Sequence, residues 1–430
     1  MSTDAAEDIR RLVSHVQQVA ETDIPVELWD GSRVPADAPS DGLRLVITSP
    51  AVLSRLMRRP SAATLIQLHV EGLIDIRGGT LFDLAERRPT VRSRDIRRRL
   101  DKGLILRTLL PYLFRAKRAA GPADALSGGP DASAARGSSQ ADIAFHYDVS
   151  NRFYELFLDP LMVYTCAYFR DFGNDLATAQ EDKLEMICRK LRLKPGDRLL
   201  DIGCGWGALI SHAVEHHGAT ALGVTLSTEQ ASLAETRIAA RGLSDRARVQ
   251  LVDYQVVTGQ FDKIASIGMF EHVGIDNHDA YYRTIHKLLA PGGLYLHHAI
   301  TRRGKATESA FRKMRSEYKL MTRYIFPGAE VDHIGLTLRS LEARGFEVHD
   351  VEGWREHYAR TTELWARRLM ANRAEAVAEV GEARYRLWVL YFSGVSLAFS
   401  RGTLQIFQTL VSKRAKGPSG LPPTREDLYR

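Results

Sequence analysis

The sequence predicts an α/β protein: a parallel sheet with helices on both faces, preceded by a small α+β domain. Three observations carry this expectation. From residue 142 onward, short apolar segments of strand character alternate with helical ones, the pattern of parallel strands joined by crossover helices. The first of these strands ends in a glycine-rich turn, Asp201-Ile-Gly203-Cys-Gly205-Trp-Gly207, that opens directly into a helical segment. The stretch 116–141, AKRAAGPADALSGGPDASAARGSSQA, has no apolar periodicity and reads as a flexible linker. The expected division is therefore a domain at 1–115, a linker at 116–141 and a larger domain at 142–430.

In chain order, LRLVITS (43–49) alternates as a strand does, and SPAVLSRLMRR (49–59) begins with a Ser-Pro pair suited to a helix start. LIQLHVEGLIDIRGG (65–79) reads as two short strands around Gly72. In the larger domain DRLLDIG (197–203), ALGVTL (221–226), VQLVDY (249–254), FDKIASIG (261–268) and GGLYLHHAI (292–300) are strands. ALISHAVEHHG and STEQASLAETRIAARG are helices between them, and TELWARRLMANRAEAVAEVG and EARYRLWVLYFSGVSLAF are long amphipathic helices near the end. No internal repeat is present.

Composition excludes several classes. With 44% hydrophobic and 26% charged residues the chain is globular, neither disordered nor a coiled coil. Three cysteines are too few for a disulfide scaffold and suit a reducing compartment. The opening residues are polar and acidic, without the apolar core of a secretory leader. The longest apolar candidate, Val389–Phe399, is too short to span a bilayer.

The glycine turn lets the backbone approach a ligand closely and points a helix N-terminus at it. Its G-x-G-x-G spacing differs from the dinucleotide fingerprint, and Asp201 stands two residues before the first glycine, where it can meet an amine or ribose. This combination resembles the S-adenosylmethionine loop of Rossmann-like class I methyltransferases. After the next strand, Thr225 and Gln230 are candidates for ribose hydrogen bonds, although Thr225 and Ser227 serve equally well as helix caps. Asp253 and Tyr254 follow a third strand, where an adenine edge would lie.

HYDVSNRFYELFLDP (146–160), YTCAYF (164–169), LDIGCGWG (200–207), GVTLSTEQ (223–230), SIGMFEHVG (266–274), LHHAI (296–300) and YIFPG (324–328) together resemble the cyclopropane-fatty-acyl-phospholipid synthase family, which includes the mycolic acid cyclopropane synthases. HYARTTELWARR (357–368) and FSRGTLQIFQ (399–408) match as late helical signatures. The resemblance implies methylene or methyl transfer from S-adenosylmethionine to the cis double bond of an unsaturated phospholipid acyl chain, with a bound bicarbonate as base. It implies an anion cage of Cys166, Glu271, His298, the Ile300 backbone and Tyr324, and contacts of Tyr164 and Thr165 with the cofactor carboxylate. Taken alone, Cys166 is also a small buried hydrophobe, Tyr324 a core residue, and of His297 and His298 only one faces the site. Glu271-His272 is no metal motif, and no metal is expected.

Two departures stand out: Ile66-Gln-Leu-His-Val-Glu71-Gly72 replaces a Gly-Glu-Ala-Tyr-Met-Asp-Gly-like stretch, and Ala329-Glu330-Val-Asp332-His333 is unusually polar.

Within 81–118 stand 12 Lys or Arg against 4 Asp or Glu, a balance of +8 that exceeds the +7 of the whole chain. LRTLLPYLF (106–114) follows the arginines. Basic charge beside aliphatic and aromatic residues suits anionic lipid headgroups, although it also suits nucleic acid or a solvated face. With the lipid-enzyme resemblance, the expectation is a cytoplasmic protein, peripheral on the inner membrane face, with phospholipid substrates, no nucleic acid partner and room for a homodimer. A methyl-branched product, an RNA methyltransferase and a non-catalytic lipid binder are the alternatives.

Overall fold

The computed structural model describes residues 3–87, 91, 93–112, 150–313, 325 and 328–429. The expected linker at 116–141 and Tyr324 lie outside the described residues. The chain divides into two compact units, Met1–Gly128 with Gly381–Ser393, and Gly129–Val380 with Gly394–Arg430. Gly381–Ser393 falls within the expected 142–430 domain but packs with the first unit: Arg386 donates to the His69 carbonyl at 2.8 Å and to Asp75 at 2.6 Å.

In the first unit, β1 (Val26–Glu27), β2 (Arg33–Val34), β3 (Arg44–Ile47) and β4 (Ile74–Arg77) form a mixed sheet in the order β2-β1-β3-β4. Ile9, Leu28 and Tyr112 are the centre of its core. The expected two strands around Gly72 are a helix, Ala62–Val70, followed by β4. Ser61 accepts from the Thr64 N–H at 3.2 Å and starts the helix, while Gly72, at φ +74°, turns the chain out of it. A short apolar run does not distinguish the two forms by period; here the cap decides. The unusual Glu71 is held by Arg55, whose second guanidinium nitrogen lies 3.0 Å away.

The second unit is built on a seven-stranded sheet. Its strands are β5 (Arg198–Ile202), β6 (Thr220–Thr225), β7 (Ala247–Leu251), β8 (Phe261–Ile267), β9 (Leu289–Arg302), β10 (Phe346–Gly353) and β11 (Leu404–Lys413). Their order is β10-β11-β9-β8-β5-β6-β7. β5 to β9 are parallel, as expected, but β11 inserts antiparallel between β9 and β10, so the sheet is mixed. FSRGTLQIFQ is accordingly a helix end, a turn at Gly402 (φ +66°) and a strand, not a helical signature. The last predicted helix pair also differs: Arg355–Ala371 and Arg373–Val380 break at Asn372.

Alternation along β5 sends Leu199 into the apolar layer of helices Leu176–Lys190 and Ala208–His217, and Leu200 and Ile202 into the opposite layer with helix His278–Leu288. The chain runs outward from β5 through β6 to β7, then returns to the other side for β8 and β9. That reversal leaves a crevice beyond the carboxyl ends of β5 and β8, the usual ligand position in such sheets.

Candidate active site

The crevice is a cavity of about 730 Å³. Of the sequence-derived cofactor residues, Tyr164, Thr165, Asp201, Gly203, Gly205, Thr225, Gln230, Asp253 and Tyr254 all line it; Gly207 does not, and instead caps helix Ala208–His217 at φ +79°. Gly205 has φ +54°, and a Cβ there would meet no protein atom within 4 Å. It therefore faces open cavity, as a loop that cradles a ligand requires. Gly268 solves a different problem: at φ +69°, its Cβ would stand 2.7 Å from Thr165 Cγ2, so only glycine lets the 164–166 segment lie against the end of β8.

Asp201 is buried and its Oδ1 accepts no hydrogen bond from the described residues. Burial pushes its carboxyl up to about 7, against the attraction of Lys183. Lys183, missed in the sequence, is buried on helix Leu176–Lys190 and donates to Thr165 Oγ1 at 3.1 Å. Burial pushes its ammonium down to about 8, opposed by Asp159, Cys166 and Asp201. A carboxylate and an ammonium facing one wet cavity match the amine and carboxylate of an amino-acid moiety. The signal was available: Gln180, Lys183, Leu184, Ile187 and Lys190 recur at helical spacing, so two lysines sit on the buried stripe.

Thr225 donates to Gln230 Oε1 at 2.8 Å and accepts from the Ser227 N–H at 3.2 Å, while Ser227 accepts from Gln230 N–H at 3.3 Å. Both readings of this turn hold together: it is a cap, and it lines the cavity. Tyr254 stacks edge-on against Tyr281, and burial raises its hydroxyl to about 12.

Cys166, Glu271, His298 and Ile300 are not part of this cavity's lining but adjoin it, Cys166 next to Thr165 and His298 bonded through its carbonyl to the Gly268 N–H at 2.8 Å. Cys166 is fully buried, 3.9 Å from the Trp354 carbonyl, and burial lifts its thiol well above the usual range, so it stays a neutral donor. His298 packs edge-on against the Trp354 ring. Lys190 can only donate, and it donates to Gln408 Oε1 at 2.7 Å. That turns the Gln408 amide nitrogen to His298 Nδ1 at 2.9 Å. Nδ1 is thus the acceptor and Nε2 carries the proton. Burial and the nearby lysines hold the ring far below its ordinary pKa, hence neutral. Its Nε2 has no hydrogen-bond partner among the described residues. His297 points to the other face, bonded to Tyr295 at 2.9 Å.

One expectation is corrected. The Ile300 N–H does not stand free for an anion; it donates to Glu271 Oε1. A buried carboxylate needs a donor, and β9 supplies one. Burial raises Glu271 to about 7. Asp332, also missed, is buried, raised to about 7 first by burial and then by Glu271, and held by Thr337 at 2.6 Å. The polar stretch around it is structural: Glu330 accepts from the Ile275 N–H at 2.9 Å, and His333 caps helix Ile334–Ala343.

A family described as mycolic acid cyclopropane synthetase matches residues 135–409. A probable fatty acid methyltransferase of Pseudomonas putida is 37% identical over 94% of this chain and 96% of its own. The cyclopropane-fatty-acyl-phospholipid synthase of Escherichia coli (strain K12) is 36% identical over 62% of this chain and 66% of its own. Among solved structures, mycolic acid cyclopropane synthase CmaA1 complexed with SAH and CTAB superposes with a TM-score of 0.60 at 35% identity, covering 64% of this chain and 98% of that one. The chain belongs to the mycolic acid cyclopropane synthetase family and is an S-adenosylmethionine-dependent methyltransferase of the cyclopropane-fatty-acyl-phospholipid synthase type.

Proposed function

We propose that the protein adds a methylene group from S-adenosylmethionine across the cis double bond of an unsaturated phospholipid acyl chain, giving a cyclopropane fatty acyl chain, and that it does so at an anionic membrane surface. The observation that carries the reading is His298: a buried, neutral ring whose Nε2–H has no partner among the described residues, next to a cavity that fits the methyl donor. When bound, the donor supplies an electrophilic methyl to the alkene π pair, and loss of one proton from that methyl closes the ring.

This chain's residues do the rest. Asp201 and Lys183 hold the amino-acid end. The neutral donors Cys166 and His298 suit a small oxyanion such as bicarbonate, which the family resemblance gives as the base. Glu271 keeps Oε2 for an acid O–H while Oε1 takes the Ile300 N–H. Trp354, fully buried, packs against the His298 ring. In the first unit, Arg94, Arg98, Lys102 and Arg107 are exposed, and so are Leu106 and Leu110, a combination of basic and apolar side chains suited to lipid headgroups. Tyr112, from the same segment, is core instead. No helix among the described residues is long and apolar enough to cross a membrane.

A second reading, a methyl-branched chain, is favoured by the Pseudomonas putida relative, which matches nearly the whole length. Lipid mass spectrometry of cells fed methionine with a trideuterated methyl separates the two. A ring keeps two of the three deuteriums; a branched alkene, losing its proton from a neighbouring carbon, keeps all three. Unmodified lipid would overturn both.

A further inference from the structure

Glu185, Cys188, His212 and His217 form a cluster with no part in methyl transfer. Helix Leu176–Lys190 places Glu185 and Cys188 three residues apart, hence on one face. Helix Ala208–His217 brings His212 and His217 opposite them. The ligand atoms of Cys188, His212 and His217 lie within 4.8 Å of one another, and among the described residues this is the one such group. Arg189 holds Glu185 Oε1 at 2.6 Å, which leaves Oε2 facing both imidazoles, 3.2 Å from His212 Nε2 and 3.0 Å from His217 Nε2.

We propose that Cys188, His212, His217 and Glu185 bind one zinc ion as a structural clamp between these two helices. Bonds of about 2.0–2.1 Å to nitrogen and oxygen give a tetrahedron with edges of about 3.3–3.4 Å, and a thiolate–nitrogen edge of about 3.6 Å. The carboxylate–imidazole distances, 3.2 and 3.0 Å, are hydrogen-bond lengths a few tenths of an ångström inside the first figure, so small outward shifts admit the ion. Cys188 Sγ and the two imidazole nitrogens need to close by at most about 1.2 Å, within the reach of a χ1 adjustment of the cysteine and χ1 and χ2 adjustments of the histidines, and Glu185, bonded to both imidazoles but outside that group of three, moves in with them as the fourth ligand. One thiolate, two imidazoles and a carboxylate form a borderline-soft set that suits zinc over calcium or magnesium. The histidine and glutamate side chains are 14%, 18% and 24% exposed, which leaves an entry route, while Cys188 is fully buried. Binding releases the Cys188 thiol proton to solvent, and both imidazoles bind neutral.

The clamp has a position that matters. One helix carries Lys183, Leu184 and Ile187 to the cofactor cavity, and the other begins at the glycine loop. A metal joining them stiffens two walls of that cavity.

The test uses the full chain, stripped with chelator and titrated with zinc or cobalt. The wild type should bind one equivalent, melt several degrees higher with zinc, and with cobalt show the near-ultraviolet thiolate-to-metal band. Cys188→Ser should abolish that band and weaken zinc binding on the order of a hundredfold. His217→Ala should weaken it similarly. His216→Ala, next to the cluster but outside it, should bind as the wild type does. Each variant's cofactor affinity and circular dichroism report whether it is folded. Absence of the cobalt band in folded wild type, or equal zinc affinity in wild type and Cys188→Ser, would overturn the proposal.

Discussion

Gln408 Nε2 donates to His298 Nδ1 at 2.9 Å, and this one bond decides which nitrogen of His298 carries the proton. Because Lys190 fixes the other end of the amide, the assignment follows from chemistry: an ammonium has no lone pair to offer. β11, inserted antiparallel beside β9, is what brings Gln408 there, in register opposite His298.

Changing Gln408→Glu should reverse the tautomer. A carboxylate at Nδ1 demands a proton there and raises the ring's pKa. The wild-type ring, held far below its ordinary value, stays neutral across the working range and gives no acid limb of its own. The variant should show about 10- to 100-fold lower kcat where its ring is neutral, with kcat recovering as pH drops through the raised pKa, because protonation restores the Nε2–H donor. Cofactor affinity, measured by calorimetry, should stay within a few fold. A flat pH profile with full activity would exclude the role assigned to Gln408.

Asp201 and Lys183 predict a bell-shaped pH dependence of cofactor affinity. Asp201 must be ionised to attract the cofactor's amine; it is protonated below about 7, so affinity falls as pH drops through that value. Lys183 must be protonated to attract the carboxylate; it loses its proton above about 8, so affinity falls again there. Each limb approaches tenfold per pH unit once past its midpoint. Asp201→Asn should remove the acid limb and Lys183→Met the alkaline one, each weakening binding about 10- to 100-fold at the optimum. Calorimetric titrations across the range check this.

Gly268→Ala should disturb both stability and cofactor binding. Its φ of +69° strains any L side chain, and the new Cβ would collide with Thr165. A loss of about 1–3 kcal/mol is expected by denaturant titration, with weakened cofactor affinity. Gly259→Ala also strains the backbone, at φ +95°, but has no described neighbour within 4 Å. It should cost only about 1 kcal/mol and leave the cofactor alone. Equal affinity losses in the two variants would disprove the contact argument.

The exposed basic surface predicts salt-sensitive vesicle binding. Arg94→Gln with Arg98→Gln should weaken binding to acidic vesicles at low salt and flatten its salt dependence, since exposed charges are screened within about 8 Å at physiological ionic strength. Leu106→Ser with Leu110→Ser should weaken binding at every salt concentration, because apolar insertion is not screened. Cosedimentation with acidic and neutral vesicles separates the two effects; equal wild-type binding to both vesicle types would remove the electrostatic half.

The strands of the parallel sheet and the glycine loop were legible because their signals are local: apolar runs, β-branched residues and three glycines within five positions. What escaped was non-local. Gln408 acquires its role from a strand 110 residues downstream of His298. Lys183 reads as a surface lysine until its helix face is counted. The family resemblance gives both Glu271 and Ile300 to an anion, whereas their pairing with one another depends on how the turn after β8 meets β9. The helix at Ala62–Val70 escaped because nine residues of mixed apolar character carry no decisive period, and the Ser61 cap outweighs it.

Glu271 offers the sharpest test of the oxyanion base. Glu271→Gln keeps the shape and keeps an acceptor for the Ile300 N–H, so the variant should fold and bind cofactor normally. What changes is the second atom: an amide donates where the carboxylate accepted. A bicarbonate O–H would then face a donor, and the anion would rotate or leave. Glu271 also titrates near 7, pushed up by burial. Below that pH it becomes a carboxylic acid with a proton to donate, so wild-type turnover should decline as pH falls through about 7. The amide variant should lack that decline. In carbonate-free buffer, added bicarbonate should accelerate the wild type several fold and the variant much less. Turnover of unsaturated phospholipid, followed by mass spectrometry with and without bicarbonate, measures this directly. Full activity of Glu271→Gln together with no bicarbonate response in the wild type would take both the anion and Glu271 out of the chemistry, and leave Cys166 and His298 as donors to something else.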